Sequence, residues 1–367
     1  MGHEVDFIRV GEKSRSGDAI ALRFGNLHGQ RDEQFIIVID GGTQQSGEEL
    51  VTHIEQHYGT DTVDLAISTH PDADHSVGLR VVLEKMKVKK LWMHKPWEHA
   101  EDIRELFLNP RLTDVSLRTT LQKSLDNARD LITIAREKNI PIEEPFSDDN
   151  LGIPGLWVLG PSREYYQSLL PHFRDTPEAS AEPGLLRKTA QIVTEAVMRW
   201  LDETWDIETL IDPTEEENLR SAENNSSVIL LVRTNDGKHM LFTGDAAVPA
   251  LTLAADRAQA LGFDLPNQIE LVQIPHHGSR HNVGPTILDR ILGPKRQQPA
   301  NPKTATVSAA VEGEPKHPSK KVTNAFQRRG CVVQATQGKS KCLPHNAPPR
   351  AGWEAAQPLP FYEKVEE

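Results

Sequence analysis

The sequence predicts an α/β protein carrying a helical insertion. Apolar runs of strand length alternate with stretches of helical periodicity. Nearly every such run ends in a polar, metal-competent cluster. Residues 162–222 break the alternation with a helix-rich, acidic stretch holding 13 Asp/Glu against six Lys/Arg. A chain of 367 residues exceeds the usual size of one domain, which fits one large core with an insertion, or two domains.

Taken in order, residues 4–10 and 19–24 read as short strands around a turn over 11–17. Phe35-Ile36-Ile37-Val38-Ile39 is continuously apolar, as a strand covered on both faces must be, and runs into Asp40-Gly41-Gly42. That places a carboxylate at a strand terminus beside a close backbone approach; plain turn chemistry is the alternative. Residues 48–58 read as a helix and 63–68 as the next strand, a β-α-β unit delivering His70, Asp72, Asp74 and His75. Pro71 bars a regular helix or a continuing ladder there, so these four are expected on a loop at the carboxyl edge of a sheet. On such a loop imidazole and carboxylate can converge on a divalent metal and leave a position for water. The alternative is a polar loop with a chance His/Asp cluster. A helix over 76–86 follows, its N-terminus favouring anions.

Residues 89–93 make another strand, ending at His94, which reads as an ordinary loop histidine. Residues 97–139 are mostly helical, and 156–159 form a strand closed by Gly160-Pro161. Beyond the acidic stretch, the runs 228–232 and 239–242 flank Asn235-Asp236-Gly237, a hairpin signature, and the second run ends in Thr243-Gly244-Asp245. Residues 269–274 run into Pro275-His276-His277-Gly278-Ser279, 305–309 form a last strand, and His317-Pro318 lies beyond it. The recurrence of polar clusters on independent strands points to one shared site.

Composition excludes several classes. No stretch approaches ~20 consecutive apolar residues, so no membrane span is expected. The charged start, Met-Gly-His-Glu-Val-Asp, lacks the apolar core of a signal peptide, and a cytoplasmic location is expected. Position 6 is Asp, which gives the Met-Gly start little support as a myristoylation signal. Cys331 and Cys342 are the only cysteines, read as reduced thiols. The net charge of −12 hides an asymmetry: residues 275–350 hold 13 Lys/Arg against three acids. A basic C-terminal third on an acidic body suits an anionic substrate, and a solvated basic surface would look the same.

The order strand–Asp40, His-x-Asp-x-Asp-His over 70–75, Thr-Gly-Asp245 and Pro-His-His-Gly-Ser resembles the metallo-β-lactamase superfamily. Asn-Asn-Ser-Ser before a strand, Leu-Phe-Thr-Gly-Asp-Ala and the late His-Pro resemble the branch containing the soluble hydrolase domain of the competence DNA-uptake channel ComEC, without that channel's membrane spans. The resemblance covers roughly 4–160 and 223–340 and implies a four-layer αββα sandwich. Its first half would be 1–161 and its second 223–343, with 162–222 an acidic helical insertion or cap and 344–367 an irregular tail. It also implies metal ligation by His70 and Asp72 at one position and Asp74 and His75 at the other. Asp245 would bridge, His277 would be a further ligand, His276 a supporting or catalytic group, and Asp40 would hold the loop from behind. Two departures replace nitrogen with oxygen: Asp72 stands where a second histidine is usual, and Asn224/Asn225-Ser226 where a third-motif histidine is expected. That shifts the expected one or two divalent ions from zinc alone towards manganese or magnesium.

The implied chemistry is hydrolysis by metal-activated water, with Asp74 or Asp245 orienting the nucleophile and His276 or His317 protonating a leaving group or holding a phosphate. Lys316, Lys320, Lys321, Arg328 and Arg329 flank His317 in sequence and would attract phosphates, so a nuclease or other phosphodiesterase fits best, with nucleic acid as partner. The rival is a small ester, lactone or phosphoester hydrolase with the insertion as lid. In a third, non-enzymatic reading, 162–222 docks a protein partner.

Overall fold

Residues 35–39 are apolar without interruption because both faces of their strand are covered. Ile37 and Ile39 point between two sheets, while Ile36 and Val38 point into a layer of helices. This emerges from a computed structural model describing residues 1–11, 16–109, 111–177, 200–218, 221–234, 237–296, 301–312 and 316–366. Residues 178–199 of the expected helical insertion and 235–236 of the expected hairpin turn lie outside the described residues.

In chain order, β1 (Gly2–Phe7), β2 (Ala19–Gly25) and β3 (Gln34–Gly41) pair antiparallel. Then α1 (Gln44–His53) leads to β4 (Leu65–Ile67), and α2 (Ala73–Lys85) to β5 (Leu91–Trp92). Helices α3 (Asp114–Ser124) and α4 (Asp126–Glu137) lead to β6 (Ile142–Glu143); β3 to β6 run parallel. β7 (Leu156–Gly160) opens the second sheet, and α5 (Arg163–Leu169) and β8 (Trp200–Asp202) belong to the acidic stretch. The second sheet continues with β9 (Ile229–Arg233), β10 (His239–Phe242), α6 (Val248–Ala260), β11 (Ile269–Gln273) and α7 (Pro285–Leu292). It ends with β12 (Lys303–Val307), α8 (Lys320–Gln327) and β13 (Cys331–Ala335). β14 (Lys341–His345) returns to the edge of the first sheet, and β15 (Lys364–Glu366) pairs with β8.

The first sheet has seven strands in the order β14-β1-β2-β3-β4-β5-β6, the second six in the order β13-β12-β11-β10-β9-β7. Between them lie Phe7, Leu22, Ile67 and Trp92 from one side and Leu230, Met240, Phe242 and Leu271 from the other. Outside, Leu50, Leu79, Val82 and Leu131 cover the first sheet, and Leu251, Ile287, Ile291 and Phe326 the second. The chain is therefore the four-layer αββα sandwich expected from its sequence. Among the described residues no helix is long and apolar enough to cross a membrane.

Local starts differ from the sequence reading. The helix expected at 48 begins at Gln44, because the Thr43 side chain accepts from Ser46 N–H and caps it. The helix expected at 76 begins at Ala73: Asp72 is extended (φ −65°, ψ 147°) and serves as N-cap, so one residue suffices after Pro71 to enter the helix. Asp74 and His75 thus stand on the first turn of α2 and not on a loop.

The described parts of the acidic stretch turn inward. From it, α5 contributes Tyr166 and Leu169 to the first helical layer. Glu203 pairs with Arg328, and Glu208 with Arg329, which also reaches Asp289 at 2.8 Å. Arg328 and Arg329 are each 1% exposed. Their expected role as phosphate attractors is thereby corrected: neighbouring acids of the same chain neutralise them.

The segment from 344 is not wholly irregular. Besides β15 it supplies Arg350, whose guanidinium holds Asp6 at 2.7 and 2.8 Å and Glu4 at 2.9 Å, while Tyr58 donates to Asp6 at 2.5 Å. Burial would raise the Asp6 carboxyl, but His53 and Arg350 outweigh it and hold Asp6 well below the ordinary carboxylate range. Its contribution to stability is present above its unfolded value near pH ~4 and is lost as pH falls towards the folded value. Asp6→Asn leaves Arg350 buried beside one lost charge, so it should cost about 3–5 kcal/mol at neutral pH. In denaturant titrations its difference from the parent should shrink as the pH drops below ~4; a pH-independent difference would contradict this account.

Candidate metal centre

Every metal-competent cluster named from sequence lies on one rim of the sandwich. β3 and β4 are parallel to each other, as are β10, β11 and β12, so their C-terminal ends carry Asp40, His70, Asp245, His277 and Ser308 to one place. Glycine permits the closest approach. A Cβ on Gly41 would lie 1.9 Å from the Leu79 nitrogen, and one on Gly78 1.9 Å from the Gly41 carbonyl oxygen. Without side chains there, α2 sits directly on the end of β3 and sets His75 against Asp40.

Asp40 is fully buried with φ 56°. It accepts from Thr69 N–H at 2.8 Å and Thr69 O–H at 2.6 Å, and His75 Nδ1 lies 2.8 Å from its Oδ2. A carboxylate only accepts, so His75 carries its proton on Nδ1 and presents Nε2 forward. The Thr69 hydroxyl proton is spent on Asp40, so His70 Nδ1, 3.0 Å from that hydroxyl, donates to it and likewise presents Nε2. His277 Nδ1 donates to the Ser308 carbonyl at 3.0 Å, with the same result. Asp40 therefore orients two imidazoles with both its oxygens engaged.

Asp245 stands at the centre. His75 Nε2 lies 3.3 Å from its Oδ1; His70, His276 and His277 Nε2 lie 3.8, 3.7 and 3.8 Å from its Oδ2. His277 Nε2 is also 3.6 Å from Asp74. The Nε2 atoms of His70, His75 and His277 and Oδ1 of Asp245 are buried with no hydrogen-bond partner among the described residues. Three lone pairs and a carboxylate oxygen turned on one another are stable together only with protons or a cation between them. Edges of 3.3–3.8 Å are what metal bonds of ~2.0–2.3 Å in a tetrahedron produce. The residues fit a divalent ion.

Residues that sequence reasoning missed hold Asp245 in place. Ser227 Oγ accepts from its N–H at 3.1 Å, and Asn282 Nδ2 donates to its carbonyl at 2.8 Å. Asn282 Oδ1 then faces His276 Nδ1 at 2.7 Å, turning His276 Nε2 towards Asp245; Asn224 Nδ2 lies 3.2 Å from the same nitrogen. Gln273, fully buried, accepts from Thr243 and Gly244 N–H at 2.9 and 3.2 Å and donates to Asp18 at 2.8 Å. Asp18 and Asp245 each come within 4.8 Å of the His75 ligand atoms. Asp18 immediately precedes β2, and since β2 is antiparallel to β3 its start must lie at the rim where β3 ends; the strand pattern carried that signal.

Asp72 and Asp74 form the mouth, with side chains 23% and 34% exposed. Asp72 faces His70 Nε2 at 4.0 Å and accepts from Arg174. His317 lies at the rim, its ring 6.5 Å from that of His276. His94 packs instead between Phe146 and Tyr166, with ring centroids 4.5 and 4.4 Å away, and burial pushes it down to about 3.

Charge balance follows from this geometry. Burial alone would raise Asp245, but His75, His276 and His277 hold it well below the usual range. Burial opposes the charge on His277, and Asp245 and Asp74 outweigh it, raising His277 to about 9. Asp18, raised chiefly by burial to about 6, is opposed by His75 and His277. Burial and His75 lower His70.

No protein-family profile and no curated protein matches the chain. Solved structures similar to it include metallo-β-lactamase superfamily members. A diphosphatase of the PhnP family is 8% identical, with 94% of this chain and 99% of that one covered and a TM-score of 0.39. An archaeal superfamily protein from Sulfolobus tokodaii is 15% identical, covering 81% and 89% with a TM-score of 0.29. A long-form RNase Z from yeast is 10% identical, covering 83% of this chain and 37% of that one, with a TM-score of 0.31.

A cation must displace the proton that the carboxylates hold on His277, so metal uptake should release protons and strengthen as pH rises towards 9. Calorimetry in buffers of different ionisation enthalpy measures this directly, and a buffer-independent enthalpy would contradict it. Asp40→Asn should weaken uptake by about 10–100-fold, read by competition with a chromophoric chelator.

Proposed function

We propose that this chain is a metal-dependent hydrolase of phosphodiesters, with DNA or RNA as the first substrate to test. The observation that carries the reading is the convergence of orphaned imidazole nitrogens on Asp245. His70, Asp72, Asp74, His75, Asp245 and His277 would hold one or two divalent ions, zinc or the oxygen-preferring manganese or magnesium. A bound ion supplies Lewis acidity towards a substrate oxygen and lowers the pKa of water towards ~7.

The chain's own residues do the rest. Asp74, on the exposed side of the cluster, orients the attacking water from the mouth. His276, aimed by Asn282, would give a proton to the leaving oxygen. His317 is pushed down to about 4 by burial and by His277 and His276, so near pH 7 it is neutral and holds a phosphate oxygen through its N–H. Asp40, Thr69, Ser227 and Gln273 keep the acceptors in register.

A second reading has a specific support. Arg328 and Arg329 are buried and paired, which removes two of the five bases on which nucleic-acid binding was expected to rest and favours a smaller phosphoester. Lys316 remains exposed. The finer likeness to the competence-channel hydrolase rests on sequence motifs alone.

The test is cleavage of single- and double-stranded DNA and RNA with Mn²⁺, Mg²⁺ or Zn²⁺, alongside a generic small phosphodiester. Turnover should require metal and fall at least about 100-fold in Asp74→Ala. Nucleic-acid cleavage should weaken steeply with salt. Turnover of the small substrate alone, insensitive to salt, would replace the nuclease by the second reading.

A further inference from the structure

The stretch that interrupts the sandwich places one arginine at the mouth of the metal-competent cluster. Just beyond α5, Arg174 is anchored by Glu223: a single oxygen, Oε1, accepts from its backbone N–H at 2.6 Å and from Nε–H at 3.0 Å. Glu223 is 3% exposed, so the anchor is rigid. With Nε committed, the Nη edge faces the opposite way. There Nη2 donates to Asp72 Oδ1, while Nη1 makes no hydrogen bond among the described residues. The other oxygen of Asp72 faces His70 Nε2 at 4.0 Å. One carboxylate is thus shared between a guanidinium and the cluster.

We propose that Arg174 is a specificity-determining residue that binds a phosphate oxygen of the substrate, its Nη edge coming free when Asp72 turns to a cation. The inference rests on the phosphoester reading above and names a recognition group for it. The side chain is 68% exposed, whereas Arg328, a structural arginine of the same chain, is 1% exposed. An exposed ion pair stabilises little, so the Arg174–Asp72 contact is readily exchanged. A planar guanidinium with two parallel N–H groups matches the oxygens of a phosphate, and its fixed stem has already given up much of its rotational freedom. Glu223 and Asp72 together balance the arginine twice over; when a cation takes Asp72, Arg174 is left with one carboxylate and a free edge. The segment carrying Arg174 is attached to the sandwich through Tyr166 and Leu169, so the residue is positioned by the core.

The experiment uses the full chain loaded with Mn²⁺. Inorganic phosphate binding is measured by calorimetry in the parent, Arg174→Gln and Arg174→Lys, with metal content measured by elemental analysis. Arg174→Gln should weaken phosphate binding about tenfold at unchanged metal content, and Arg174→Lys should recover part of it. In parallel, KM for bis(p-nitrophenyl) phosphate should rise in Arg174→Gln. Equal phosphate affinity in parent and Arg174→Gln, or loss of bound metal in the variant, would overturn the assignment. Arg174-dependent phosphate binding without phosphodiester turnover would sink the hydrolase reading and leave this one standing. Phosphodiester turnover with KM and phosphate affinity indifferent to Arg174 would do the reverse. A parent chain that takes up neither metal nor phosphate overturns both.

Discussion

The Asp40 carboxylate is the constraint on which the rest of the site depends. Two oxygens accept three hydrogens, and through them the strand end at Thr69, the first turn of α2 at His75 and, one step removed, the ring of His70 share one orientation. An imidazole offers a lone pair at only one nitrogen, so deciding where the proton sits decides what the ring can bind. Asp40 makes that decision for two rings from a position no solvent reaches. It does so in a left-handed backbone conformation, φ 56°, as do His276 and His277 at φ 46° and 56°. Such residues cost about 1–3 kcal/mol each and persist where surrounding contacts over-determine them. Here those contacts are the Asn282 and Ser308 hydrogen bonds on the two histidines and the Thr69 pair on Asp40.

The site is also a seam. His70 and His75 belong to the first sheet's half, Asp245 and His277 to the second's, and the layer between them is otherwise apolar. Gln273 crosses it. Its amide takes two N–H groups from the turn before Asp245 and gives one to Asp18 at the start of β2. A buried amide with its bonds satisfied on both sides is costly to displace, so relative movement of the halves at this rim is resisted where ligand distances matter most.

The uneven charge of the chain finds much of its partner within the chain. Glu203 and Glu208 from the acidic stretch meet Arg328 and Arg329 at the end of α8, and Glu4 and Asp6 on β1 meet Arg350 from the C-terminal segment. A block of like charge in a sequence is equally a surface for a partner and one half of an internal ion-pair set; only the path of the chain tells them apart. Arg174 is the contrasting case, an arginine of the same acidic stretch held at the edge of the site with most of its side chain in solvent.

The linear pattern by itself determined the alternation of strands and helices and the polar residues that gather at the strand ends, while the four-layer arrangement followed from the resemblance those motifs carry. Continuous apolar runs and a polar cluster at nearly every strand end are local consequences of a strand covered on both faces whose C-terminal edge opens on a rim. That His70, Asp72, Asp74, His75, Asp245, His276 and His277 gather in one cluster was legible for that reason. Tertiary structure alone decided which atoms of them face one another, because a tautomer depends on the partner of the other nitrogen, and those partners are remote in sequence: Asp40 for His75, Ser308 for His277. It also decided the roles of Asp18, Gln273 and Asn282, ordinary polar residues until antiparallel and parallel pairing place them behind the ligands. Finally it decided which arginines are buried and which reaches the mouth, since burial is a property of packing that no composition or spacing encodes.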